Sequence, residues 1–172
     1  SYGTWYQVLM IEALRTALGD SRGLEKSAGF LQSADFMNYM VAPSGRVFNF
    51  SDCGNSRPVQ NLLLAWFADE CRNMGLIYRE TESLKQDDLR IMERRFLSVA
   101  ILFLARCDMS SVASPQRNFW YADGKQPLFV YRGGWDSSDD VYLAAKGGSS
   151  SISHAHMDAG SFIYEWGGVR WS

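Results

Sequence analysis

The sequence predicts an α+β protein in which helices come first and an antiparallel sheet follows. Three observations carry this. Apolar residues recur every three or four positions as far as about residue 107. After Ser110-Ser111-Val112-Ala113-Ser114-Pro115 the composition changes to short β-branched and aromatic runs. Each of those runs is closed by a Gly-Gly pair, the punctuation of tight turns. Helices are expected to about residue 110 and antiparallel strands from about 127. A Rossmann-type parallel sheet, which would need strands and helices to alternate, is not expected.

In chain order, Trp5, Leu9, Glu12, Ala13 and Ala17 keep a helical rhythm that Gly19 can end. Gly23 to Met40 reads as a second, less regular helical region closed by Pro43-Ser44-Gly45. Ser56-Arg57-Pro58 can open a helix running to about Asn73, with Gly75 just past its end. Asp87-Asp88 places acid at the start of a further helix, which suits its dipole. Its positions Leu89, Met92, Phe96, Val99 and Phe103 lead to about Cys107. The run Phe96 to Ala105 is too short to span a bilayer, and its all-round apolarity predicts a helix covered by others. Strands are expected at Leu128 to Arg132, Val141 to Lys146 and Ser161 to Trp166. The organisation is therefore a helical domain over 1–112 and a strand domain over 113–172. The closing residues Phe162 to Ser172 read as a hairpin cut off in its second strand, so the chain is expected to be an excerpt of a longer protein. The missing signal peptide then says nothing about secretion.

Composition narrows the partners. A hydrophobic content of 47% with 14% aromatics is ample for a packed core. The net charge of −2 gives no general attraction to polyanions, and nucleic acid is not an expected partner. Cys53, Cys71 and Cys107 show no zinc spacing, and either one disulfide plus a thiol or three thiols fit.

Both histidines fall in one pentapeptide, His154-Ala155-His156-Met157-Asp158. In extended backbone His154, His156 and Asp158 would project to one side. Two imidazoles and a carboxylate on one face can bind a metal, or hold a base beside a charge-neutralising group. A buried structural trio would need a partner for every nitrogen and oxygen.

Four blocks taken in order carry a resemblance: Tyr131-Arg132-Gly133-Gly134-Trp135, Asp139 to Gly148, Ser153-His154-Ala155-His156-Met157-Asp158-Ala159-Gly160-Ser161-Phe162, and Gly168-Val169-Arg170-Trp171. Together they resemble the heparinase II/III family of polysaccharide lyases. Tyr2-Gly3-Thr4 and Phe48 to Gly54 resemble its helical part. The resemblance implies the last helices of an incomplete (α/α) toroid followed by the first antiparallel strands of a β-sandwich, with the site in the groove between them. It implies β-elimination on an acidic, uronate-containing polysaccharide (heparin-like or alginate-like) by a periplasmic or secreted enzyme. His154 matches the catalytic or carboxylate-neutralising histidine and His156 a zinc ligand, the remaining ligands lying past Ser172. Tyr2 and Tyr6 are the candidates for the acid/base tyrosine.

A uronate lyase removes the proton alpha to a carboxylate and expels the glycosidic oxygen at the beta carbon. Neutralising the carboxylate stabilises the enolate-like intermediate, and a tyrosine or histidine can move the protons. Arg132, Lys146 and Arg170 can grip an anionic substrate or serve the strands structurally. Asp158 is read as a carboxylate that orients a histidine or caps the turn rather than binding metal. The six tryptophans are expected in the core, because each buries so much apolar area. The alternative to an enzyme is a non-catalytic module that binds polysaccharide or is stabilised by metal.

Overall fold

A computed structural model describes residues 2–53, 61–85, 94–151 and 156–172. It is an α+β structure whose residues fall into two compact units, Ser1–Ala34 with Val59–Ala113, and Asp35–Pro58 with Ser114–Ser172. The boundary near 112 is thus one of three places where the chain passes between units. The other two bracket residues 35–58, which join the sheet-bearing unit.

The first unit is helical. Helix α1 (Tyr2–Leu18) buries Trp5, Val8 and Ile11. Its buried seam is therefore turned away from the expected one, and Ala13 and Ala17 are exposed. Gly19 ends the helix as expected: at φ 71° its N–H reaches the Arg15 carbonyl at 2.9 Å. Helix α2 (Ser33–Tyr39) is the regular part of the Gly23 to Met40 region, and it crosses into the second unit.

Helix α3 (Leu64–Cys71) buries five consecutive residues from Leu64 to Ala68, so it is enclosed on every side. Its expected start at 56–58 lies outside the described residues. Its stop is not Gly75. Arg72 takes the left-handed cap at φ 51°, and Asn73 then caps a 3-10 turn over Met74–Ile77. Helix α4 (Tyr78–Lys85) went unanticipated because it is polar and lacks an apolar stripe, yet Glu80 and Thr81 are buried. Helix α5 (Leu97–Leu104) buries Ala100 and Phe103, with Phe103 and Phe96 stacked on Trp5. It is not covered all round: Ile101 and Leu102 are 55% and 65% exposed. The expected acidic start at Asp87-Asp88 lies outside the described residues. None of the described helices is long and apolar enough to cross a membrane.

Glu80 provides a pH test of this unit. Its side chain is buried, and among the described residues its Oε2 accepts the Asn61 N–H, at 3.2 Å. Burial pushes its carboxyl above the usual range, against the pull of Arg79 and of the Asn61 N–H. A raised carboxyl binds its proton more tightly in the folded state than in the unfolded chain. The penalty for ionising it is absent below the ordinary glutamate range and complete once pH exceeds the folded value. Glu80→Gln is therefore expected to raise the melting temperature at pH 8 and to leave it nearly unchanged at pH 4. Thermal melts across that range check this; an equal shift at both ends would remove burial of the charge as the cause.

The second unit is built on a five-stranded antiparallel meander, β1 (Phe119–Ala122), β2 (Leu128–Arg132), β3 (Tyr142–Lys146), β4 (Phe162–Trp166) and β5 (Val169–Arg170). The last four match the expected strands and hairpin, while β1 is additional. Period-two alternation sends Leu128, Val130, Arg132, Tyr142, Ala144, Lys146, Ile163 and Glu165 to one face. That face packs on Tyr39, Met40, Ala42 and Phe48. Residues 40–48 fold back on themselves through the Val41–Val47 bridge and the Phe48 N–H to the Met40 carbonyl at 2.8 Å. The helical reading to Met40 ends there as expected, and Pro43 and Gly45, the latter at φ 76°, make a turn between two extended arms. On the opposite face Phe119, Tyr121, Phe129, Tyr131, Phe162 and Trp166 are between 41% and 60% exposed. Trp166 and Trp171 consequently depart from the expectation of burial that Trp5 and Trp66 meet. Cys53, Cys71 and Cys107 form no disulfide with one another.

Candidate functional site

The described part of the histidine pentapeptide lies in the connection between β3 and β4. Residues 156–160 form a bend and turn rather than extended backbone. The Gly160 N–H bonds the Lys146 carbonyl at 2.7 Å, and the Ser161 N–H bonds the Asp158 carbonyl at 3.0 Å. Gly160 is at φ 86°, a conformation that a residue with a Cβ rarely adopts. Met157 is 94% exposed, so the residues on either side of it turn back toward the protein.

What they meet is the segment 51–52. His156 Nε2 lies 3.1 Å from Asp52 Oδ1, with both side chains exposed. Asp158 takes the Lys146 ammonium on Oδ1 at 2.5 Å and the Ser51 N–H on Oδ2 at 3.2 Å. Ser51 is itself at φ 50°, and its buried hydroxyl has no partner among the described residues. The Lys146 side chain is fully inaccessible, so its charge requires the carboxylate. The hydrogen bond from Lys146 holds the Asp158 carboxyl below the usual range, with burial opposing and the Ser51 N–H adding. Asp158 thus latches the loop to residue 51, and the loop carries His156 to Asp52. A carboxylate on one ring nitrogen orients an imidazole and favours its proton on that side. His154 lies outside the described residues.

The tyrosine candidates stand on the first turns of α1. Tyr2 and Tyr6 are about half exposed, their hydroxyls 3.4 Å apart. Arg95 donates to the Tyr2 hydroxyl at 2.9 Å and lies over the Tyr2 ring. The Tyr2 hydroxyl, through its hydrogen bond and charge, pushes the Tyr6 phenol up, and Arg95 opposes this. Tyr6 keeps its proton at neutral pH, as an ordinary phenol does, and is a weaker acid than one.

The three cations nominated for substrate are tied inside the second unit. Arg132 is buried, bonded to the carbonyls of Gly134 and Val41, and stacked 4.1 Å from the Trp135 ring centroid. Lys146 holds Asp158. Arg170 gives Nε to Glu165 at 2.6 Å and Nη1 to the Val47 carbonyl at 3.1 Å, while its buried Nη2 has no partner among the described residues.

Asp52 and Ser51 had no assigned role in the sequence, and Arg95 read only as part of a solvated helix face. Asp52 and Ser51 sit within the Phe48 to Gly54 segment that carries part of the resemblance, and that is the one signal that could have found them. Zinc needs three or four donors. Among the described residues no group of three potential ligands converges. His156 and Asp52 offer a pair, and Asp158 is occupied by Lys146. No protein-family model matches this chain, and no curated protein matches it.

Proposed function

We propose that this chain belongs to a polysaccharide lyase of the heparinase II/III type, cleaving a uronate-containing acidic polysaccharide by β-elimination. Residues 1–112 would be the end of an incomplete toroid and 113–172 the first strands of a β-sandwich. The observation that carries the reading is the His154-Ala155-His156-Met157-Asp158-Ala159-Gly160-Ser161-Phe162 block following the Arg132–Trp135 strand end. Two features support it. His156 and Asp158 engage residues of the Phe48 to Gly54 segment, which carries the same resemblance. The exposed aromatic face of the sheet has the character of a face that a second sheet covers.

In this reading His154 neutralises the uronate carboxylate or takes the alpha proton, and Tyr6 or Tyr2 returns a proton to the leaving oxygen. His156 and Asp52 would hold zinc with ligands from a longer protein. Zinc supplies a fixed positive charge that orders the loop. The periplasm or the exterior is the proposed location.

The buried engagement of Arg132 and Lys146 favours, as the second reading, a non-catalytic polysaccharide-binding or metal-stabilised module. One assay separates the two. A protein containing this chain, incubated with several uronate glycans, is expected to yield products whose new carbon–carbon double bond, conjugated to the carboxylate, absorbs in the ultraviolet. The 172-residue chain alone is expected to yield none. Shortened products without that chromophore would exclude elimination, and glycan binding without cleavage would establish the module.

A further inference from the structure

We infer that the outer face of the five-stranded sheet is a self-association surface, closed by the same face of a second copy of this chain. Strand alternation turns Arg132, Lys146 and Glu165 inward, and the positions that alternate with them on β2, β3 and β4 carry no charge. Register sets Tyr131, Leu143 and Tyr164 in one row, and Phe129, Ala145 and Phe162 in the next. The small Ala145 leaves a slot between two rings. A cavity of about 360 Å³ opens there, against Tyr121 and Phe129.

Area and charge together select the occupant. The six aromatics of this face that are 41% to 60% exposed carry about 200 Å² each, so roughly 600 Å² of ring surface is open. Val169 and Trp171 add to it, the latter continuing the β4–β5 pairing through its N–H to the Tyr164 carbonyl at 2.9 Å. The whole approaches the roughly 800 Å² that each partner contributes to a stable interface. A monomer seldom keeps a contiguous apolar patch above about 600 Å². A charged partner, an acidic polysaccharide included, finds no counter-charge on these strands. Two copies of an uncharged face, by contrast, meet without the like-charge repulsion that a two-fold contact would repeat. The rings of one copy can enter the Ala145 slot of the other, and the symmetry makes that contact reciprocal. Face-to-face packing of two sheets is an established way to bury such alternating rows. The inference concerns the 172-residue chain and does not rest on the lyase reading, in which later strands of a longer protein would take the same place.

The test follows the mass of the 172-residue chain by analytical ultracentrifugation over a dilution series. A dimer that dissociates on dilution is expected, with a dissociation constant of about micromolar or tighter. Phe129→Glu places a carboxylate from each copy in the contact and should weaken it about 100-fold or more. Tyr131→Thr adds no charge and keeps a good strand former, and should weaken it about 10-fold. Circular dichroism checks that the variants keep their fold. Leu102→Glu, on the exposed flank of α5, should leave the dimer unchanged. A monomer at every concentration, a dimer that survives in both sheet variants, or one lost in Leu102→Glu would overturn the inference. So would assemblies that grow past the dimer, because a face closed by its twin has no surface left to add a third copy. Dissociation of the dimer by added oligosaccharide would give the face to a glycan and also overturn it. Mass carries no information on elimination, so failure of this inference leaves the lyase assay untouched, and the reverse also holds.

Discussion

Replacing Glu165 by alanine is expected to destabilise the second unit by about 3–5 kcal/mol, the cost of stranding a buried charge by removing its partner. Glu165 is 1% exposed and accepts three bonds: from the Ser44 N–H at 3.1 Å, the Ser44 hydroxyl at 2.9 Å and Arg170 Nε at 2.6 Å. Without it, the Arg170 side chain retains, among the described residues, the Val47 carbonyl as its hydrogen-bond partner. For a chain of this size the loss corresponds to a fall in melting temperature of about 10 °C. Glu165→Gln keeps one acceptor oxygen but turns an NH2 toward one of these donors and loses the charge, so it should fall between the wild type and the alanine variant. Pairing Glu165→Leu with Arg170→Met should recover most of the loss, because the penalty lies in the uncompensated charge rather than in the absent attraction. Melts followed by circular dichroism decide this. A fall of less than about 2 °C for the alanine variant would show that solvent, and not Glu165, satisfies Arg170.

The second large effect concerns turnover. In a longer protein active as a lyase, His154→Ala is expected to slow β-elimination by about 100-fold or more, the usual cost of losing a positioned proton-transfer or charge-stabilising group. His156→Ala should act differently. Its imidazole contacts Asp52, so its loss should release metal or loosen the loop, and activity should fall in step with bound zinc. Asp52→Asn should behave like His156→Ala. Ultraviolet product formation measured beside zinc content separates the two roles. Full activity in His154→Ala would remove that residue from the mechanism, and activity loss in His156→Ala at full zinc content would move the histidine into the chemistry.

Much of the second unit was legible because strand alternation is local. Leu128 to Arg132 and Tyr142 to Lys146 declare themselves by period two and by their glycine turns, and the register then follows. The same rule misplaces value on the charged members. Arg132 and Lys146 could grip substrate or serve the strands, and Glu165 carried no assigned role, yet each lies on the inner face of its strand. Their burial depends on counter-groups at Val41, Asp158 and Ser44, residues remote in sequence. The site was half legible for the same reason. The pentapeptide advertised His156 and Asp158, whereas Ser51 and Asp52 became visible only when the loop was seen to fold onto them.

By itself the sequence determined the order of helices and strands, the helix stop at Gly19, the hairpin turns and the concentration of imidazole chemistry near residue 155. Each of these depends on backbone preferences and on side-chain period over a few residues. Tertiary structure alone decided that residues 35–58 join the sheet, that α4 forms from a polar segment, that Arg72 rather than a glycine ends α3, and that three nominated cations are spent internally. These outcomes turn on desolvation and on partners dozens of residues away, and a buried charge is tolerated only where such a partner arrives.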